Sequence, residues 1–178
     1  MTEQFVVIVD QNDRPIAVKE KIEAHRQGLL HRAFSIFILN REEKFLLQKR
    51  ASGKYHSGGL WTNTCCGHAI PDEEINRTAS RRLKEEMGFT CDFEHLYSFQ
   101  YKVALDNLLT ENEIDHVLIG TFNGLPSINT DEAEDYRWVS LPDIVAEIAQ
   151  SPDSFTYWFK EIVSCKIFTN RFSESPQL

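Results

Sequence analysis

The sequence predicts an α/β chain of the α+β kind, in which a mixed β-sheet core is flanked by helices. Three observations predict it: short β-rich runs divided by turn residues, one helix whose apolar positions recur every four residues, and an aromatic-rich helix near the C-terminus. Residues 5–9 read as a strand. Gln11-Asn12-Asp13-Arg14-Pro15 follows with side chains that bond their own backbone and a proline that fixes φ, so an edge hairpin is expected. Residues 33–39 and 44–49 form two more strands, antiparallel across the polar residues 40–43. Between residues 51 and 67, Gly53, Gly58 and Gly59 lie among scattered polar residues, which predicts a loop folded over something rather than a regular element. Pro71, Asp72, Glu73 and Glu74 open a helix on which Ile75, Ala79, Leu83 and Met87 share one face, until Gly88 ends it. Residues 111–122 alternate as a strand, 137–139 form a short one, and Leu141-Pro142-Asp143 starts another helix. Residues 154–165 make the aromatic helix, and from about Thr169 the polar tail is expected to fray.

The bulk properties narrow the function. With 178 residues, 42 % apolar and 26 % charged, the chain has the composition of one globular domain spanning residues 1–178. A net charge of −8 argues against nucleic acid or an anionic membrane as partner, so any phosphate must be met by a local basic set. The N-terminus meets acidic and turn residues after five apolar positions, too few for a signal-peptide core or a membrane span. Cys65 and Cys66 are adjacent and poorly placed to bridge each other; with Cys91 and Cys165 they indicate a reduced, cytoplasmic protein, and a monomer is the working expectation.

Gly67, Glu73, Arg81, Leu83, Glu85, Glu86, Gly88 and Phe89 match the Nudix signature, a loop and helix that present glutamates to a divalent metal and a diphosphate. Clustered carboxylates supply the hard oxygen ligands that Mg²⁺ prefers. The plainer reading is a solvated helix with Arg81–Glu85 and Arg82–Glu86 as surface ion pairs worth roughly 0.2–0.5 kcal/mol each, but the length of the pattern favours the site. One position departs: Arg82 stands where Nudix hydrolases carry a second metal-binding glutamate. A guanidinium prefers phosphate oxygens, so the diphosphate would be gripped rather than cleaved.

The segment Trp61-Thr62-Asn63-Thr64-Cys65-Cys66-Gly67-His68 resembles the TNxxCGH motif of type I isopentenyl-diphosphate isomerases, a branch of the Nudix superfamily. Glu20-Lys21, Ala24-His25, Leu30-His31-Arg32-Ala33-Phe34-Ser35 and Glu111-Asn112-Glu113 resemble further blocks of that family, in order over most of the chain. Taken without the family, extended backbone places Cys66 and His68 on one face, and likewise Glu111 with Glu113. His25, His31, His68, Glu111 and Glu113 form a mixed nitrogen and oxygen set suited to Mn²⁺, Mg²⁺ or Zn²⁺ in octahedral or distorted geometry.

The resemblance implies interconversion of isopentenyl and dimethylallyl diphosphate, with Cys66 and Glu113 as an acid–base pair on opposite faces of the carbon skeleton and Tyr101 bonding near the carboxylate. Which of the pair donates first stays open. It also implies Trp158 as the aromatic face for a carbocation, against core packing as the alternative, and Trp61 as a further wall. Lys21, Arg50, Lys54 and Arg82 would hold the diphosphate, with Mg²⁺ on Glu86. His56, His95 and His116 fit no motif and are taken as structural or surface residues; Cys65 faces away from Cys66, and Cys91 and Cys165 are taken as small buried hydrophobes. The competing readings are a Nudix pyrophosphohydrolase acting on a nucleoside or other diphosphate, and a binding domain without catalysis.

Overall fold

The structure is a computed structural model that describes residues 4–173. Strands β1 (Phe5–Val9) and β2 (Pro15–Glu20) form the expected edge hairpin, its turn closed by Asp10 Oδ1 accepting from the amides of Asn12 and Arg14. Helix α1 (Lys21–Gln27) follows, capped by the Glu20 side chain and ended by Gly28 at φ +60°. Next come β3 (His31–Leu39), β4 (Phe45–Arg50), β5 (Trp61–Thr62), β6 (Cys65–His68) and helix α2 (Ile75–Met87). The chain continues with β7 (Glu94–Ala104), β8 (Thr110–Thr121), β9 (Ala133–Val139), and helices α3 (Leu141–Gln150), α4 (Tyr157–Ser164) and α5 (Lys166–Ser173).

Among the described residues, nine strands join one mixed sheet with β3 at its centre. β3 runs parallel to β8 from His31↔Glu113 to Leu39↔Thr121, and antiparallel to β6 over residues 33–36. β7 extends the sheet beyond β8, and β9 lies against β4. The apolar run of β3 is buried on both faces, as a central strand requires. One face packs Phe37, Phe45, Leu47, Phe159, Ile162 and Phe168 beneath α3, α4 and α5; the other packs Phe34, Ile36, Ile38, Leu83 and Met87 beneath α2. Each such fully buried side chain contributes about 1.5–3 kcal/mol of apolar burial.

Several expectations change. β3 and β4 pair only at Leu39↔Phe45, because β3 then turns its edge to β6 and β4 turns to β5 and β9. α2 begins at Ile75, after Glu74 as N-cap, rather than at Pro71. α4 begins at Tyr157 because Pro152–Ser154 form a 3₁₀ turn. Residues 169–173, expected to fray, complete α5, whose Phe168 is buried; the rest of the predicted tail lies outside the described residues. Among the described residues no helix is long and apolar enough to cross a membrane. All four cysteines are free thiols, with Cys91 and Cys165 only half buried.

Candidate active site and metal centre

Strand register assembles the site. The β3–β8 pairing sets His31 opposite Glu113, the β3–β6 pairing sets Ala33 opposite His68 and Ser35 opposite Cys66, and β7 sets Tyr101 opposite Glu113. The period of two keeps Glu111 and Glu113 on one face of β8. The short α1, turned back by Gly28, brings in His25. The candidate ligand atoms of His25, His31, His68, Glu111 and Glu113 all lie within 4.8 Å of one another, and all five residues are buried.

The hydrogen bonds around this cage fix its chemistry. His25 Nδ1 donates to Lys21 O at 2.6 Å and His31 Nδ1 to Leu29 O at 2.8 Å. A carbonyl only accepts, so each Nδ1 carries the proton and each Nε2 turns a bare lone pair inward. There His25 Nε2 lies 3.0 Å from Glu111 Oε2, and His31 Nε2 lies 3.4 Å from Glu113 Oε1 and 3.7 Å from Glu111 Oε2. Neither nitrogen has a hydrogen-bond partner, nor does Glu111 Oε2. Buried lone pairs facing carboxylate oxygens repel unless positive charge sits among them, and this donor set fits a divalent cation. The carboxylates favour positive charge at this point. Burial disfavours charge on His31, yet Glu111 and Glu113 outweigh it and raise its pKa. Burial likewise opposes ionisation of Glu111, but His25, His31, His56 and His68 hold it well below the usual carboxylate range.

A cavity opens beside the cage. Cys66, Tyr101, Glu113 and Trp158 all line it, as do Lys21, Arg50, Lys54, Arg82 and Glu86. The Tyr101 hydroxyl donates to Glu113 Oε2 at 2.7 Å, the contact expected for it. Burial pushes the Cys66 thiol up to about 12, against the opposing pull of Arg50, whose NH1 lies 3.9 Å from Sγ. Trp158 is 3 % exposed; its Nε1 donates to Asn63 Oδ1 at 3.2 Å, and the Arg50 guanidinium sits 5.4 Å from its ring centre. The cations are engaged. Lys54 pairs with Glu132, Lys21 lies 4.7 Å over the Tyr55 ring, and Arg82 contacts Glu85, Glu86 and Glu132. Arg82–Glu86 is thus a buried pair, further bonded by Gln48 Nε2 to Glu86, rather than a surface one.

The structure moves Trp61 and narrows the reading of His56. Trp61 does not line the cavity: its ring lies 4.2 Å beneath the Arg137 guanidinium, packed against the core under α4. His56, set aside as structural or surface, is buried in the cavity wall with Nε2 at 3.1 Å from Glu111 Oε1. Tyr55 and Asp115 were missed as well. Asp115 is buried and accepts from Ser35 Oγ at 2.8 Å; burial and the neighbouring Glu113 push its carboxyl well up. Its place two residues after Glu113 was the available signal. His116 bridges Asp13 and Ser98 on the outer part of the sheet, beside His95, which accords with the role expected of both. Cys65 is buried on the α2 side, opposite Cys66 as expected.

Comparison with known proteins agrees with this architecture. The NUDIX domain family matches residues 29–159. The DR0079 crystal structure from Deinococcus radiodurans superposes with a TM-score of 0.76 over 96 % of this chain and 99 % of that one, at 15 % identity. A MutT protein from Methanosarcina mazei Go1 gives 0.64 over 81 % and 93 %, at 21 % identity; these likenesses show the fold. At the sequence level, the chain is 47 % identical over 168 residues to isopentenyl-diphosphate Delta-isomerase 1 of Aromatoleum aromaticum, covering 92 % of this chain and 95 % of that one. It is 49 % identical over 162 residues to isopentenyl-diphosphate Delta-isomerase 2 of Photorhabdus laumondii, covering 91 % and 92 %. The chain belongs to the Nudix family and, within it, to the isopentenyl-diphosphate Delta-isomerases.

Proposed function

We infer that this protein interconverts isopentenyl diphosphate and dimethylallyl diphosphate. The observation that carries the reading is that a thiol on β6 and a carboxylate on β8 open onto one cavity beside a buried cage built for a cation. In the forward direction a proton is added at the terminal alkene carbon and another leaves C2, so the double bond shifts with no net redox change. An unactivated alkene is a weak base, which demands an acid and a base held on opposite sides of the substrate in dry surroundings. Cys66 and Glu113 fill these roles. Burial leaves the proton on sulfur in the free protein, and Tyr101 holds the Glu113 carboxylate in a fixed orientation. The order of the two transfers is for isotope experiments to decide.

His25, His31, His68, Glu111 and Glu113 would hold one divalent ion, with Mn²⁺, Mg²⁺ and Zn²⁺ all compatible with the donor set. That ion would supply fixed positive charge beside Glu113. Lys21, Arg50, Lys54 and Arg82, which line the cavity, would bind the diphosphate, and Glu86 beside them would hold its Mg²⁺. The exchange of Arg82 and Lys54 from carboxylate to phosphate partners is the local means by which an acidic protein takes an anion. Trp158 faces the developing carbocation, an interaction worth about 2 kcal/mol when desolvated. We place the protein in the cytoplasm as a single domain and a monomer acting on a small isoprenoid diphosphate, and the four free thiols are consistent with a reducing compartment.

The test is incubation with isopentenyl diphosphate and Mg²⁺ in D₂O, followed by NMR beside a Cys66→Ala control. Deuterated dimethylallyl product absent from the control supports the reading. Released phosphate or unchanged substrate overturns it.

A further inference from the structure

The segment of residues 51–60 is drawn over the cavity by its own backbone. Arg50 Nε donates to Ser57 O at 3.2 Å and Arg50 NH2 to His56 O at 3.3 Å, while Asn107 Nδ2 donates to Tyr55 O at 3.2 Å. The turn is tight: a Cβ at Gly58 would meet Ser52 O at 2.6 Å, and Gly59 sits at φ +76°. This geometry drives His56 inward, edge-on to Tyr55 and to Trp158, with ring centroids 4.3 and 5.9 Å away.

His56 reaches the metal cage from outside. Its Nε2 lies 3.1 Å from Glu111 Oε1, whereas His25, His31 and His68 all face Oε2. Its Nδ1 lies 3.2 Å from Ser57 Oγ, whose hydroxyl donates to it and leaves the Nε2 proton for the carboxylate. Both ring nitrogens are therefore committed, and His56 is not itself a ligand. Glu111 divides its two oxygens, one to the cage and one to the loop.

We propose that His56 is a positioning residue of the metal centre, fixing Glu111 by donating Nε2–H to Oε1 and so tying the loop that carries Lys54 to cation binding. This rests on the reading of the cage as a divalent-metal site. Outer partners that orient a ligating carboxylate govern metal affinity without touching the metal. The same loop carries Lys54, so the diphosphate and cation sites share one support.

Mn²⁺ affinity of the chelator-stripped full-length protein, measured by competition with a fluorescent chelator, tests the proposal in wild type, His56→Leu and His56→Gln. Leucine keeps the bulk and removes the donor; glutamine keeps a donor of similar reach. His56→Leu is expected to weaken Mn²⁺ binding by about 10–100-fold, and His56→Gln to stay within about threefold of wild type. Wild-type affinity in His56→Leu overturns the proposal, as does an equal loss in both variants, which would mark packing alone. Should His56→Leu fail to fold by circular dichroism, His56→Gln is compared with His56→Asn, an amide too short to reach Oε1, and equal affinities overturn the proposal. A wild-type protein that takes up no Mn²⁺ refutes the metal-centre reading instead.

Discussion

Tyr101 donates to Glu113 through Oε2, while the other oxygen of the same carboxylate, Oε1, faces His31 at 3.4 Å and His68 at 2.9 Å. One side chain is thus shared between the metal cage and the cavity wall, and its orientation is held from both ends. A hydrogen bond to a charged group contributes about 1.5–3 kcal/mol. Tyr101→Phe is therefore expected to lower kcat by roughly 10–100-fold with bound metal unchanged. Steady-state kinetics with metal analysis checks this, and a wild-type kcat would remove Tyr101 from the mechanism.

Removal of the cation is the second expectation. The Nε2 atoms of His25 and His31 converge on carboxylate oxygens without a hydrogen bond, so a cation among them ties the cage together. Dialysis against a chelator is expected to abolish turnover and lower the thermal midpoint, and a divalent ion to restore both. Glu111→Gln, which removes the charge that faces the three cage histidines, should hold less than a tenth of the wild-type metal by elemental analysis. Full metal content in that variant would contradict the ligand set.

Trp158 separates packing from catalysis. Its Nε1–Asn63 bond and its contact with the Arg50 guanidinium fix the ring at the cavity wall. Replacing it with phenylalanine keeps an aromatic face but weakens the cation attraction, so Trp158→Phe should reduce kcat about tenfold with a smaller change in KM. Unchanged turnover in a folded variant would leave Trp158 a core residue only.

The Cys66 thiol makes a prediction about pH. Burial raises its pKa from 9.0 to about 12. Above about pH 9 the unfolded chain loses this proton while the native state keeps it, so the contribution is whole below that pH and is lost as pH rises toward 12. Urea midpoints at pH 8 and pH 10.5 should therefore fall more in wild type than in Cys66→Ala. Equal falls would show that Cys66 ionises freely in the native protein.

How much of this was legible beforehand follows from the range of each interaction. α2 was visible because Ile75, Ala79, Leu83 and Met87 recur within a few residues and Gly88, at φ +82°, stops the helix. α1 was not, since seven residues carry too little local signal to overcome the cost of helix nucleation. β7 escaped because a register shift between His95 and Tyr97 breaks its alternation. The paired spacings Cys66/His68 and Glu111/Glu113 were local and so readable, and five cage residues could be named from the sequence and its family resemblance. The sequence, with its family resemblance, thus determined the fold class and named residues that the structure brings to one cage and one cavity. Their meeting point was decided by the parallel register of β3 on β8 and by the folding of the 51–60 loop, which put His56 on Glu111. Pairing of strands distant along the chain is selected by how their buried faces pack together, and no local backbone preference encodes that choice.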